Sequence, residues 1–197
     1  AQGINAEHNV PKSKGAKDGN ALSDLYNLFP SSVSVNSDRA NLPFGEIPDS
    51  QTSFWYWLEY KNTNIPSQNI DLYSEGTSEK FEPREDHKGN VARSIFYFYT
   101  MYHQEMQEAD PVFFENMKDV LCDWHYYDPV DSIEWLRNNK ISTYQSGKQN
   151  PFVLDCSLAG RSYCDFIDDN CSALKIELLQ GFQNDCFVFP NPFSDKL

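Results

Sequence analysis

Residues 91–144 hold three consecutive segments in which apolar residues recur every three or four positions, and a chain that must bury three such faces commits its body to packed helices. Residues 91–107 are dense in aromatics and sparing of charge, which predicts the central helix. Pro111 opens the second segment, whose stripe runs through Phe113, Met117, Val120, Leu121 and Trp124. Asp128-Pro129 opens the third, with Asp as N-cap and Pro at the first helical position. Val130, Ile133, Leu136 and Ile141 turn inward along it to about Tyr144, and residues 147–151 end it.

The flanks read differently. Residues 1–50, rich in Asn, Ser, Gly and Pro, predict two short strands around a loop, near 7–10 and 33–35. A helix then starts near Asn36, because Asn36, Ser37 and Asp38 all suit a helix start. Residues 51–87, broken by Pro66 and Pro83, predict loops with one or two strands such as 53–60. The class is α+β: two short strands and a helix packed on a mainly helical body, followed by a cysteine-bearing extension. At 197 residues the chain can bury a core, as one domain with an appendage.

The formal net charge of −13 argues against a protein that coats nucleic acid, because phosphate contacts need local Lys and Arg. The charge is uneven. Residues 8–17 carry His8, Lys12, Lys14 and Lys17 with no acid among them, while acids gather at 71–86, 105–131 and 165–169. A small basic rim on an acidic body suits an enzyme that must release its product; most of the acids do no more than keep the chain soluble. No apolar run is long enough to span a bilayer, and no signal peptide is visible at the start. The chain opens six residues before Glu7, so upstream sequence, a signal peptide among it, is expected to have been removed or omitted.

Of the five cysteines, Cys122 sits in an apolar helical pattern and reads as a buried free thiol. Cys156, Cys164, Cys171 and Cys186, with 7, 6 and 14 residues between them, match no common zinc spacing and have no His nearby. Two disulfides in an oxidising compartment are the better reading, with three pairings open.

One constellation carries chemistry. Glu7-His8 sets a carboxylate beside an imidazole, and Asn36 and Arg39 follow on the predicted helix. Phosphodiester hydrolysis needs a base for water, a cation against the non-bridging oxygens, and stabilisation of the departing 3′ oxygen. Mg²⁺ takes hard oxygen ligands and only one or two protein groups, which Glu7 and the Asn36 amide oxygen could supply. A neutral His8 could take the proton, provided a carbonyl holds its other ring nitrogen. Along an extended strand Glu7 and His8 point to opposite faces, so a strand end or bulge must bring them to one site. Arg39, one turn beyond Asn36, would share its face and could grip a phosphate. Each residue also has a plainer reading. A Glu-His dipeptide alone means nothing; Asn36 is a good helix cap; Arg39 is a surface or salt-bridged residue; and Lys12, Lys14 and Lys17 are a solvated loop.

Six ordered segments carry a resemblance. Glu7-His8-Asn9-Val10-Pro11-Lys12-Ser13, Ser23-Asp24-Leu25-Tyr26-Asn27-Leu28-Phe29-Pro30 and Val35-Asn36-Ser37-Asp38-Arg39-Ala40-Asn41 resemble successive segments of the bacterial endonuclease I family. Lys88-Gly89-Asn90-Val91-Ala92-Arg93 is similar to its Lys-Gly-x-x-Ala-Arg helix start. Trp124-His125 with Asp128-Pro129-Val130 and Arg137-Asn138, then Gln149-Asn150-Pro151-Phe152, complete the series in family order. The resemblance implies a ββα-metal (His-Me finger) nuclease domain over residues 1–153, secreted or periplasmic and most simply monomeric. Such an enzyme cuts DNA and often RNA with little sequence preference, leaving 5′-phosphate and 3′-hydroxyl ends. By position, His8 resembles the general base and Glu7 and Asn36 the ligands of Mg²⁺, with Ca²⁺ or Mn²⁺ as alternative occupants. Arg39, Lys12 and Lys14 are the nucleic-acid-binding candidates, and Asn27 and Tyr26 support the site from behind.

The chain departs from the family pattern in three ways. Tyr26 stands where His is usual; the loop between Ser13 and Leu22 is short and lacks a phosphate-binding Arg found in some members; and the N-terminal helical portion is missing. A catalytically inactive secreted binding module on the same fold is the alternative, and a purely structural Ca²⁺ site at Glu7 and Asn36 ranks last. Residues 154–186 form the cysteine-containing extension. Val188-Phe189-Pro190-Asn191-Pro192-Phe193 looks like the opening of the C-terminal sorting domains of the type IX secretion system, which makes 187–197 the start of a truncated sorting domain.

Overall fold

In the computed structural model, which describes residues 3–58, 60–168 and Cys171, a two-stranded ladder leads into a helix. β1 (Ile4–His8) pairs antiparallel with β2 (Leu28–Ser32), placing Glu7 opposite Phe29 and His8 opposite Leu28. The short α1 (Gly19–Ser23) lies in the intervening loop, and α2 (Val33–Arg39) follows β2 directly. The segment expected as a strand at 33–35 is therefore the first turn of α2. Ser32 Oγ accepts a hydrogen bond from the Val35 N–H at 3.3 Å, so Ser32 and not Asn36 caps the helix. That satisfied donor, worth about 1 kcal/mol, is enough to override the modest strand preference of Val33 and Val35. β1 also lies upstream of the expected 7–10: Asn9 and Val10 are past its end.

Residues 51–87 hold more strand than expected. β3 (Phe54–Trp57), β4 (Tyr60–Asn62), β5 (Ser74–Gly76) and β6 (Phe81–Glu82) form an antiparallel sheet in the order β4-β3-β5-β6. The single strand read over 53–60 breaks at Leu58, whose φ of 54° turns the chain. Asp38 of α2 fastens this sheet to the leading ladder: its Oδ2 accepts from Tyr56 Oη at 3.1 Å and from Lys61 Nζ at 2.8 Å.

The helical body is built around α3 (Lys88–Met101), in which residues 91–99 are all buried, as a helix apolar on every side must be. The expected continuous helix to 107 is instead two. Tyr102 leaves helical geometry (φ −128°, ψ 39°) and α4 (His103–Ala109) starts beyond it. The break lets the Tyr102 hydroxyl reach Asp24 at 2.7 Å, beside Tyr97 at 2.9 Å. α5 (Lys118–Tyr127) begins later than Pro111, with Phe113, Phe114 and Met117 buried in the turns before it.

α6 (Ser132–Ser142) is capped by Asp131, which accepts from the Glu134 N–H at 2.7 Å. Asp128, expected in that role, instead accepts from the Gly89 N–H at 2.9 Å, joining α5's end to the start of α3. Only glycine fits there, since a Cβ on residue 89 would lie 1.9 Å from the Asp128 carbonyl oxygen. Ile141 is inward as expected, but Ile133 is 65% exposed; the neighbouring Glu134 turns inward to meet buried Arg93 at 2.6 Å. Lys88 ties α3 to the sheet through Glu82 at 2.7 Å, with Glu85 at 2.7 Å and Glu46 at 2.9 Å on the same ammonium.

α7 (Pro151–Leu154) and α8 (Ser157–Ser162) close the described body. Cys122, expected as a free thiol, is bonded to Cys164, and Cys156 to Cys171. An apolar helical setting hid the pairing, because a cysteine 42 positions from its partner looks like any small core residue. Cys186 and the sorting-domain motif lie outside the described residues. No helix among the described residues is long and apolar enough to cross a membrane.

Candidate active site

Glu7 and Asn36 both line one cleft of about 560 Å³ between the leading ladder, the sheet edge and α6. Strand period and helix period produce this together. Asn5 and Glu7, two apart on β1, turn to the side of α2, where Asn36 and Arg39 are one turn apart. Asn36 Nδ2 donates to Asn5 Oδ1 at 2.7 Å and lies 3.3 Å from the Ala6 carbonyl oxygen. Both amide hydrogens are thus spent on β1, and Oδ1 has no hydrogen bond among the described residues. Glu7 Oε1 accepts from Arg39 Nη1 at 2.6 Å, which leaves Oε2 free of the ion pair. Burial raises the Glu7 carboxyl above its ordinary value, opposed by the Arg39 charge and hydrogen bond.

Arg39 is placed differently from the expected phosphate grip. It is 2% exposed, and besides Glu7 it donates to the carbonyl oxygens of His8 (2.8 Å) and Asn9 (2.7 Å) with its guanidinium centre 4.4 Å from the Phe44 ring. Its plainer reading as a salt-bridged residue is the one realised: it holds the end of β1 in shape. Burial pushes its pKa down against the raising effect of Glu7.

His8 turns to the other side of β1. Nε2 lies 2.9 Å from the Leu22 carbonyl oxygen, the carbonyl anchor that a basic imidazole requires and that no spacing could have named. With Nε2–H donating, Nδ1 carries the lone pair and has no partner among the described residues. The ring is half-buried, and burial first, then the charges of Lys12 and Arg39, lower its pKa despite the opposing Leu22 hydrogen bond. His8 does not line the cleft shared by Glu7 and Asn36.

Asn27, expected to support the site from behind, packs against the chain just past β1. It is fully buried, and its side-chain amide pairs with Val10 like a strand neighbour: Oδ1 accepts from the Val10 N–H at 2.8 Å and Nδ2 donates to the Val10 carbonyl at 3.1 Å. The ladder is so extended past His8. Tyr26, in place of the family's His, is a packing residue whose hydroxyl sits 2.9 Å from the Lys148 and 3.1 Å from the Asn138 carbonyl oxygens; burial pushes it up to about 12. Lys12 is exposed, as a basic rim requires. Lys14 is not a free cation, since it pairs with Asp110 at 2.7 Å.

Sequence reasoning gave no site role to Asn5, Arg84, His87 or Arg137, although Arg137 falls within one of the family-like segments. Asn5 had a signal, its period-two relation to Glu7. The other three line the same cleft as Glu7 from elements remote in sequence. His87 lies edge-on to Phe29, its pKa pushed down to about 3 by burial and by the charges of Arg84, Arg137 and Arg93.

Two oxygen donors suit a hard cation that keeps most of its water, as Mg²⁺ does. They are too few for a Ca²⁺ cage, and no group of three or more His, Cys, Asp or Glu among the described residues could form one. The antiparallel strand pair and following helix carry Glu7, His8 and Asn36 on an α+β body, and sequence similarity gives the class. The profile of the Endonuclease I family matches residues 1–156, and the chain belongs to that family. It is 30% identical over 161 residues to an extracellular ribonuclease of Bacillus subtilis (strain 168), covering 76% of this chain and 50% of the relative. An extracellular ribonuclease of Bacillus amyloliquefaciens is 33% identical over 162 residues, with 76% and 50% covered. A periplasmic deoxyribonuclease of Aeromonas hydrophila is 27% identical over 140 residues, with 71% and 51% covered. The chain spans about half the length of these curated relatives.

Proposed function

We propose that this protein is a metal-dependent, sequence-tolerant endonuclease that hydrolyses DNA, and RNA as well, outside the cytoplasm. The observation that carries the reading is the pairing of Glu7 and Asn36 on one cleft wall with an amide oxygen left open, while the neighbouring His8, on the other side of the same strand end, is anchored through Nε2. Relatives named as ribonucleases and deoxyribonucleases support both substrates, and their extracellular and periplasmic names agree with two disulfides in this chain. Export through the type IX system rests on the motif at 188–193 alone.

In this mechanism Glu7 and Asn36 hold Mg²⁺. When bound, the cation neutralises charge on the non-bridging oxygens and on the departing 3′ oxygen. The scissile phosphate sits at the end of β1, where Glu7 and His8 present their side chains to two sides of the same strand terminus. His8 Nδ1 takes a proton from water while that oxygen bonds to phosphorus and the bond from phosphorus to the 3′ oxygen breaks, the departing 3′ oxygen taking a proton from solvent water. The products are a 5′-phosphate and a 3′-hydroxyl, and the Leu22 carbonyl keeps the imidazole in the required tautomer throughout. Arg39 holds Glu7 and the two carbonyls that shape the strand end.

The test is plasmid nicking and RNA degradation with Mg²⁺, with chelator, and with His8→Ala. Expected are cleavage with Mg²⁺, none with chelator, and a loss of at least about a hundredfold in His8→Ala with an unchanged melting curve, the size of a general-base contribution. Full activity in a folded His8→Ala protein rejects the mechanism. Saturable binding with no cleavage by the wild type would instead favour the inactive binding module.

A further inference from the structure

Four of the five arginines in the chain are ion-paired: Arg39 with Glu7, Arg84 with Asp86, Arg93 with Glu134 and Arg161 with Asp155. Arg137 is the exception; among the described residues no carboxylate lies within ion-pairing distance of it. Its guanidinium is nonetheless fixed. Nη2 donates to the carbonyl oxygens of Leu25 (2.8 Å) and Leu28 (2.7 Å), and its central carbon lies 4.0 Å from the Phe29 ring centre. Nε and Nη1 make no hydrogen bond among the described residues, and neither is one of the sealed, unpartnered buried atoms.

This cation lines the same cleft as Glu7 and Asn36. The four carboxylates of the cleft are already committed: Glu7 to Arg39, Asp86 to Arg84, Glu134 to Arg93, and Asp131 to the N-terminus of α6. A cation taken largely out of water without a directly paired anion is costly, and the Glu134 carboxylate, itself bonded to Arg93, offsets that cost only in part. Burial pushes Arg137 down to about 10 against the raising effect of the Glu134 charge. A rigidly held guanidinium with open donors, facing a cleft, is the arrangement that recognises phosphate.

We propose that Arg137 binds a phosphate of the nucleic-acid strand flanking the one hydrolysed, as a positioning residue on the α6 wall of the cleft; this rests on the nuclease reading above. The loop between Ser13 and Leu22 is short in this chain and holds no arginine, Lys14 is tied to Asp110, and Arg39 is sealed, so Arg137 is the described arginine best placed to take the role. Because Nη2 also grips the start of β2, a strand held there is registered against the end of β1.

The probe is a short fluorescein-labelled DNA duplex, titrated with protein in chelator so that binding is read without cleavage, over a range of NaCl concentrations. Each phosphate contact contributes about 0.9 to the slope of log affinity against log salt. Arg137→Met keeps an unbranched side chain at this position and removes the guanidinium and its charge. It is expected to weaken binding about tenfold and to lower the slope by about 0.9, while Arg137→Lys restores the slope but not the full affinity. An unchanged slope in a folded Arg137→Met protein overturns the proposal, and so does an absence of binding by the wild type. If Arg137→Met does not fold, the Arg137 Nε–H resonance of the ¹⁵N-labelled wild type is followed as the duplex is added: a shift supports the proposal and an unmoved resonance overturns it. A protein that cleaves but keeps its slope loses this proposal alone; one whose slope changes but that never cleaves loses the nuclease reading alone.

Discussion

Arg39 Nη1 lies 2.6 Å from Glu7 Oε1, and this buried pair joins the end of β1 to the last turn of α2. The same guanidinium satisfies the His8 and Asn9 carbonyls, so the residue that shapes the strand terminus also orients the carboxylate. Removing one partner of such a pair leaves a buried charge exposed to no counter-ion, at a cost of about 3–5 kcal/mol. Arg39→Met is therefore expected to lose about that much stability by urea denaturation. Arg39→Lys should fold but lose at least about tenfold in nicking, because one ammonium cannot reach three acceptors in a fork. Wild-type stability in Arg39→Met would show the pair to be dispensable.

Asn36 spends its amide hydrogens on Asn5 and Ala6 at the protein surface. Losing such partly solvated bonds costs only about 1 kcal/mol. Asn36→Ala is expected to stay folded while the Mg²⁺ concentration for half-maximal nicking rises about tenfold, measured by metal titration. An unchanged metal requirement would remove Asn36 from the metal site.

His125 is 2% exposed, with Nε2 2.8 Å from the Cys156 carbonyl oxygen and Nδ1 buried and unpartnered. Burial, reinforced by Arg93, pushes it down to about 4. Its folded pKa lies below its unfolded value of about 6.5, so between those values the unfolded chain binds more protons. The stability this contributes is whole above about pH 6.5 and is lost as the pH falls towards 4. It amounts to something on the order of 2–3 kcal/mol. Urea denaturation at pH 7 and pH 4.5 should show a larger loss for the wild type than for His125→Gln, which keeps a donor for the carbonyl. Equal losses would assign the acid sensitivity elsewhere, His87 being the next candidate.

The Cys122–Cys164 bridge closes a loop of 42 residues onto α5. A loop of that length restricts the unfolded chain by roughly 4 kcal/mol in the chain-entropy description. Replacing both cysteines with alanine is expected to cost about 2–4 kcal/mol by denaturant titration, and reductant should reproduce the loss in the wild type. A double variant as stable as the parent would make the bridge incidental.

The helical body and the meeting of Glu7 and Asn36 at one cleft were legible in the chain because both depend on local order, the helical period of 111–144 and spacings within short segments, whereas His8 lies on the other side of β1. Element edges were less so. Val33 and Val35 read as strand until Ser32 capped them, and residues 91–107 read as one helix until Asp24 drew Tyr102 out of line. Asp128 read as a cap until the Gly89 amide claimed it.

What the sequence determined by itself was the class of fold, the family, and which side chains could do hydrolytic chemistry. Tertiary structure alone decided who meets whom. It turned Arg39 inward onto Glu7, gave His8 the Leu22 carbonyl, bonded Cys122 to Cys164, and left Arg137 without an ion-paired carboxylate among the described residues. Those outcomes depend on distances between residues far apart in the chain, and ion pairing, disulfide formation and burial respond to distance in space, which local periodicity does not encode.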